Sequence, residues 1–546
     1  MLGKPEKPRN EKIFSYTPGT PERERLLQEI EKIKNEGAQE VPVIIGGKSI
    51  TTDDVEETRC PHDNQLVLGR VHFAGSDLLC DAITEALKTR LRWASFDASD
   101  RLDIFRKAAD LLAESERFRH VAMAIMALSK NPYEAEYDVA EFVDFLRFNS
   151  YYAQMVYSQE LEQGPKEMNR LDWRPLEGFV LAVSPFNFYS LGGNLATTSA
   201  LLGNVVIWKP ATSVAVLNYE IMKVLQKAGL PPGVINFVPF RRKDVHVILK
   251  HPEFAGLHFT GSYETLTNLW SEIGGSLKQY KNIPRIVGET GGKGFIFVHS
   301  SADIRSVAMN LIRGGFESQG QKCSAASRAY IPKSLWVPLK ALLQQELQKL
   351  SYGPVEDLNH FMGAVIDQDA FNKIVSYIEY AKSYPDYEIV CGGNYDASKG
   401  WFITPTVITT KNPEGKLMNE EIFGPVVTIY VYSDDTFEET LRLCNATSPY
   451  GLTGSFFASD RDAIHQATRI LRYGAGNFYV NDKPTGSLVG RQPFGGSRHS
   501  GTNDKTGFWL SLIRWLSPRT IKENTILADT WMRPFMEERP RKRTRD

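Results

Sequence analysis

The chain has 546 residues, 42% of them hydrophobic and 24% charged, ordinary for a globular enzyme and too long for one compact core, so two or three domains are expected. Its 64 basic and 65 acidic residues leave a formal net charge of −1, which argues against an overall electrostatic footprint for nucleic acid or an anionic membrane. No apolar run reaches the ~18 residues that a spanning helix needs.

Residues 1–40 are polar, with a charged helix expected around 21–35. Val43-Ile44-Ile45-Gly46-Gly47-Lys48 reads as a strand entering a glycine turn. Apolar residues at three-and-four spacing predict helices over 78–96 and 99–115, the second capped by Asp97 or Ser99. Another long helix spans 133–157, and 174–183 turn strand-like toward Ser184-Pro185-Phe186-Asn187. Three short apolar runs then alternate with helical segments: 204–208 before Lys209-Pro210, 234–238, and 257–260 before Gly261-Ser262. Strand, crossover helix, strand repeated this way implies a right-handed parallel sheet with ligands at the carboxyl ends of its strands. Lys209, Gly261 and Ser262 fall there. No Gly-x-Gly-x-x-Gly follows these strands; Gly261-Ser262 at a helix start offers backbone N–H groups to a pyrophosphate instead.

A second α/β region starts near Gly292. Residues 294–298 and 424–431 read as strands, 307–316 as a helix leading to Cys323, and 335–350, 369–382 and 436–446 as helices. A strand over 478–481 precedes a glycine-rich loop, 485–501. The tail after Glu537 is basic (Arg539, Arg541, Lys542, Arg543, Arg545), fitting a solvated tail or, alternatively, a nucleic-acid or localisation patch. Five cysteines (Cys60, Cys80, Cys323, Cys391, Cys444) form an odd, scattered set, as reduced thiols in a reducing compartment would. Residues 1–12 have neither a signal-peptide apolar core nor transit-peptide composition. The expected location is cytoplasmic, with the mitochondrial matrix as the alternative if a presequence is absent from this chain.

Gly320-Gln321-Lys322-Cys323-Ser324 sets a cysteine beside glycine and lysine. Free cysteine, at pKa ~8.5, is mostly protonated at neutral pH, so a nearby cation or helix N-terminus is expected to lower it. A lone cysteine is otherwise a small buried hydrophobe. Here Gly288-Glu289-Thr290-Gly291-Gly292-Lys293 adds a carboxylate and Ser184-Pro185-Phe186-Asn187 a carboxamide. Carboxylate, carboxamide and thiol together suit covalent catalysis on a carbonyl. Cys60 and His62 supply only two ligands, so no metal is expected.

These segments, with Trp208-Lys209-Pro210, Phe259-Thr260-Gly261-Ser262, Glu420-Glu421-Ile422-Phe423-Gly424-Pro425 and Pro493-Phe494-Gly495-Gly496, follow one family order. Over almost its whole length the chain resembles the aldehyde dehydrogenase superfamily, and the 34 residues from Glu289 to Cys323 match the family interval. The resemblance implies an α/β fold: a Rossmann-type NAD-binding domain, an α/β catalytic domain and a small β oligomerisation element. The implied division is 1–160 and 184–290 for NAD binding (helix-rich part and core), 161–183 and 504–525 for oligomerisation, 291–503 for catalysis, and 526–546 as tail. Phe188, Ser324, Thr485-Gly486-Ser487, 500–505 and 141–149 resemble the branch that oxidises L-glutamate γ-semialdehyde, from 1-pyrroline-5-carboxylate, to L-glutamate in proline catabolism. The alternative is another semialdehyde or a general aldehyde.

On that resemblance Cys323 is the nucleophile, Glu289 the water-activating base and Asn187 the oxyanion donor with the Cys323 N–H. Lys209 meets the adenosine ribose of NAD, Gly261 and Ser262 with Tyr263, Glu264 and Thr265 the pyrophosphate, and Glu421 the nicotinamide ribose, with Ser184 beside the pocket. Gly486, Ser487 and Ser324 are expected on the substrate carboxylate, Phe188 and Phe494 on its chain, and Glu141 or Asp144 on its ammonium. Two departures stand out. Ala211-Thr212 replaces the frequent Ser-Glu, so no carboxylate there repels a 2′-phosphate, and Leu266 replaces a glycine. A small-molecule substrate, no nucleic acid, no membrane and a homodimer or higher homo-oligomer complete the expectation.

Overall fold

The computed structural model describes residues 6–536, and among them two seven-stranded sheets carry the architecture. The basic run at 539–545 lies outside the described residues. The first sheet runs in the order Arg285–Glu289, Phe254–Thr260, Phe179–Val183, Val205–Lys209, Ile235–Phe237, Val43–Ile45, Lys48–Ile50. Its first five strands are parallel and the last two join antiparallel. Parallel strands are covered on both faces, which is why Val-Val-Ile-Trp-Lys at 205–209 is buried throughout except for its lysine. Helices Ala215–Ala228 and Tyr263–Gly275 follow two of these strands. The long helix Pro132–Tyr157 starts where the Asn131 side chain accepts the Glu134 N–H at 2.9 Å, with Pro132 in its first turn. It packs against Tyr189–Ala200.

The second sheet runs Tyr387–Cys391, Thr406–Thr410, Val426–Tyr432, Ala326–Pro332, Gly294–Val298, Thr453–Phe457, Asn477–Val480, parallel apart from its antiparallel edge strand Tyr387–Cys391. Glu289 closes an edge strand of the first sheet, and Gly294 opens a central strand of the second. The stretch 161–183, expected as bridging strands, divides. Glu167–Pro175 pairs antiparallel with Leu516–Asn524 in a separate ribbon, whereas Phe179–Val183 is a strand inside the first sheet, buried except for Val183. Among the described residues no helix is long and apolar enough to cross a membrane.

Candidate active site

The register of the first sheet pairs Thr260 with Glu289, Phe259 with Val183, and Val183 with Lys209. Glu289, Gly261, Ser184 and Lys209 therefore stand at the carboxyl ends of four adjacent strands. The Ser184 hydroxyl accepts from Trp208 Nε1 at 2.9 Å. Lys209 Nζ lies 3.5 Å from the Pro210 carbonyl and 5.5 Å from the Phe240 ring centroid, with no acidic partner among the described residues. Burial, helped by the charge of Arg241, lowers its pKa to about 8. Ser262 caps Tyr263–Gly275, its Oγ accepting the Thr265 N–H at 3.2 Å and donating to Thr265 Oγ1 at 2.8 Å. The Tyr263 ring stacks on His499 with centroids 4.0 Å apart, and Glu264 is exposed. Glu421 Oε1 accepts the Gly292 N–H at 2.8 Å. A Cβ at Gly291 would lie 2.1 Å from both Glu421 carboxylate oxygens, so only glycine allows that approach. Burial pushes the Glu421 carboxyl up.

A cavity of about 330 Å³ opens between these strand ends and the loop before Ala326–Pro332. Glu289, Cys323, Ser324, Phe188 and Phe494 all line it. Asn187, half a turn before helix Tyr189–Ala200, donates from Nδ2 to the Gln321 carbonyl at 3.1 Å, which ties the carboxamide to the cysteine loop. Burial, then the carboxylates of Glu289 and Glu421, push the Cys323 thiol up to about 12. The expectation of a cation-lowered thiol is thus corrected. Lys322 lines the same cavity, but its ammonium is held by two carboxylates, 2.6 Å from Glu134 Oε2 and 3.4 Å from Glu317 Oε2. Nor does Cys323 start a helix: Ser318, Gln319 and Gly320 take φ of 50°, 57° and 64°, and a strand follows at Ala326. Ser318 Oγ donates to Glu134 Oε2 at 2.8 Å, so the same carboxylate holds both the lysine and the strained turn.

Both carboxylate oxygens of Glu289 are buried without a hydrogen bond of full geometry, the Gly496 N–H offering only a weak one. Burial and then the charge of Asp504 raise its carboxyl well above the ordinary range. Glycines surround it: a Cβ at Gly495 would lie 3.1 Å from Glu289 Oε1.

Gly486 and Ser487 also line the cavity, with Gly486 at φ +86°, a conformation that disfavours any side chain there. Among the described residues neither N–H finds an acceptor, while the Ser487 carbonyl accepts from the Tyr137 hydroxyl at 2.8 Å. Glu141 lines the same cavity, accepting from Ser190 Oγ at 2.6 Å, and burial with Asp138 nearby raises it to about 8. Asp144 does not reach the cavity; it accepts from Asn10 Nδ2 and the Glu11 N–H, both at 2.8 Å. Phe188 carries Lys130 Nζ 4.0 Å from its ring centroid. Sequence reasoning missed Glu134, Tyr137, Lys483, Gln492 and Ile13 as cavity residues. A signal existed for two of them: Glu134, Tyr137, Glu141 and Phe145 recur every three or four residues along the inner face of one helix. His62 is held by Ser129 Oγ at 2.9 Å and Glu356 Oε2 at 2.8 Å, and Cys60 is a buried free thiol.

Residues 49–521 match the aldehyde dehydrogenase family. The chain is 46% identical to the mitochondrial delta-1-pyrroline-5-carboxylate dehydrogenase of Dictyostelium discoideum, over 97% of this chain and 96% of that protein. Its identity to the mitochondrial delta-1-pyrroline-5-carboxylate dehydrogenase of Homo sapiens is 42%, over 97% and 94%. The crystal structure of the delta-pyrroline-5-carboxylate dehydrogenase from Mycobacterium tuberculosis bound with NAD superimposes with a TM-score of 0.95 at 42% identity, covering 98% of this chain and 100% of that one. The 1-pyrroline-5-carboxylate dehydrogenase from Thermus with bound NAD gives 0.89 at 32% identity, covering 95% and 99%.

Proposed function

The chain belongs to the aldehyde dehydrogenase family, and we propose that it oxidises L-glutamate γ-semialdehyde, formed from 1-pyrroline-5-carboxylate, to L-glutamate with NAD in proline catabolism. The observation that carries this reading is a single cavity lined both by Cys323 with Glu289 and by Gly486 with Ser487. The first pair suits an aldehyde carbon, the second a carboxylate. Near-full-length relatives named for this activity, and neighbours solved with NAD, support it.

The residues fit the cofactor. Lys209 is a half-buried cation without an acidic partner among the described residues, Gly261-Ser262 opens a helix of thirteen residues, and Glu421 is a half-buried carboxylate. In this reading Lys209 donates to the adenosine ribose, Gly261, Ser262 and the first turn over Tyr263, Glu264 and Thr265 hold the pyrophosphate, and Glu421 accepts from the nicotinamide ribose, beside Ser184. NAD, when bound, supplies the acceptor for the hydride that leaves the substrate carbon.

Cys323 releases its proton to solvent, and the thiolate attacks the aldehyde carbon, the carbonyl π electrons moving to oxygen to give a thiohemiacetal anion. Asn187 Nδ2–H and the Cys323 N–H stabilise the charge that develops on oxygen. Departure of the carbon's hydrogen with its electron pair leaves a thioester on Cys323. Glu289, its affinity for protons raised by burial, takes a proton from the water that hydrolyses that thioester. Gly486, Ser487 and Ser324 bind the α-carboxylate through N–H and hydroxyl donors, Phe188 and Phe494 enclose the chain, and Glu141 accepts from the ammonium.

We assign NAD binding to 1–160 with 184–290, and catalysis to 291–503. The ribbon of Glu167–Pro175 with Leu516–Asn524 supports a homodimer or higher oligomer built through that ribbon, Phe179–Val183 going instead with the NAD-binding sheet. The mitochondrial relatives favour the matrix over the cytoplasm. Following NADH absorbance with glutamate semialdehyde, succinate semialdehyde and acetaldehyde tests the substrate; no preference for the first refutes it.

A further inference from the structure

Residues 6–20 form neither helix nor strand, yet residues 10–16 are tied tightly to the helices beneath them. Glu11 forms ion pairs with Arg117 Nη1 at 2.8 Å and Arg147 Nη1 at 2.6 Å. The Phe14 N–H donates to Glu136 Oε1 at 2.9 Å, the Tyr16 hydroxyl donates to Glu136 Oε2 at 2.5 Å, and the Phe14 ring stacks on Phe118. This arm ends against the substrate cavity. Ile13 lines it, and Asn10 Nδ2 donates both to Asp144 Oδ2 at 2.8 Å and to the Val489 carbonyl at 2.9 Å.

Val489 belongs to the same loop as Gly486 and Ser487 and also lines the cavity. A loop that binds an anion through its N–H groups must keep its carbonyls occupied elsewhere, because a carbonyl turned on a carboxylate repels it. Three carbonyls of this loop are so held: Ser487 by the Tyr137 hydroxyl, Leu488 by the Arg491 and Gln492 N–H groups, both at 3.0 Å, and Val489 by Asn10. The Leu488 N–H is taken by Gln492 Oε1 at 2.9 Å. We propose that the N-terminal arm is part of the substrate site, with Asn10 positioning the 486–489 loop and Ile13 forming cavity wall, so that the arm selects aldehydes carrying a carboxylate at the far end. Glu11 and Tyr16 hold the arm independently, so Asn10→Ala removes the loop contact without releasing the arm.

The inference rests on the substrate reading above. Failure of that reading shows in the unmodified enzyme, as no preference for glutamate semialdehyde; failure of this one shows only in the variant. For Asn10→Ala the ratio of kcat/KM on glutamate semialdehyde to kcat/KM on propanal, which has no carboxylate, falls about tenfold for the two hydrogen bonds lost. The fall appears in KM and not in kcat, and the inhibition constant of the product L-glutamate rises by a similar factor. Asn10→Asp, which keeps the size but turns an acceptor on Asp144 and Val489, falls at least as far. An unchanged ratio in both variants, or a loss confined to kcat, overturns the proposal.

Discussion

Alkylating Cys323 with iodoacetamide in the cofactor-free protein, from about pH 7 to about pH 10, distinguishes a half-buried neutral thiol from a preformed thiolate. The cysteine is pushed up to about 12 by burial and by Glu289 and Glu421. At about pH 8 an unperturbed thiol of pKa ~8.5 is roughly one quarter thiolate, whereas one at about 12 is ~10⁻⁴ thiolate, a deficit of roughly 2,000-fold. The more basic thiolate is intrinsically more nucleophilic; a Brønsted coefficient of ~0.45 over ~3.5 pK units returns roughly 40-fold. The net expectation is a rate roughly fifty- to a hundredfold below that of a free cysteine. The logarithm of the rate should rise with unit slope and no plateau up to about pH 10. Because Cys80 is exposed and reacts as well, modification has to be followed on the Cys323 peptide by mass spectrometry. A plateau below about pH 9, or a rate matching free cysteine, would refute the reasoning.

Glu289→Gln should release about one NADH per site in a burst and then turn over slowly, steady-state kcat falling ~10²–10⁴-fold, as rapid-mixing absorbance reads. Asn187→Ala should cost ~10²–10³ in kcat while leaving the Kd for NAD unchanged by calorimetry. Lys209→Met removes a half-buried cation that lacks an acidic partner among the described residues, so thermal stability should hold while NAD binds ~10–100-fold more weakly. Lys322→Met removes the ion-pair partner of the buried Glu134 carboxylate, while Glu317 keeps Lys483 at 2.5 Å, and should lower stability by about 3–5 kcal/mol in urea unfolding, without moving the Cys323 alkylation profile along the pH axis.

What could be read from the sequence followed from how strongly each segment repeats. The strand over 294–298 is found as Gly294–Val298, and the helix over 133–157 as Pro132–Tyr157, because a continuous apolar run and a long three-and-four pattern are strong signals. The helix Arg117–Leu128 was not legible. Every residue in it except Arg119 is buried, so it has no polar face to set a period. The strands of the ribbon Val55–Cys60 and Asp63–His72 are mixed in burial and carry little alternation, and they too escaped. At the site, Cys323, Glu289 and Ser324 could be placed together from family order, and one cavity holds them. The direction in which Lys322 points could not. Its nearer partner, Glu134, lies on another segment, and adjacency in sequence says nothing of which way neighbouring side chains turn. The same limit hid the arm, since Asn10 and Val489 meet across 479 positions.

The raised thiol and the raised carboxyl bear on the order of the reaction. Glu289 and Cys323 share one cavity, and the Glu289 charge is among the causes that push the thiol up. Two negative charges at such range disfavour each other, so the pair titrates as one unit and the second ionisation is the costly one. A thiolate at Cys323 therefore forms most readily while Glu289 is neutral. Once the sulfur is bonded to the substrate carbon it carries no charge, and the cost of ionising Glu289 falls. In the proposed reaction the carboxylate becomes a competent base at the thioester stage, when water has to be activated, and is held back while it would oppose the nucleophile. One pair of groups, coupled through burial, can thus serve two half-reactions without a separate device to switch between them.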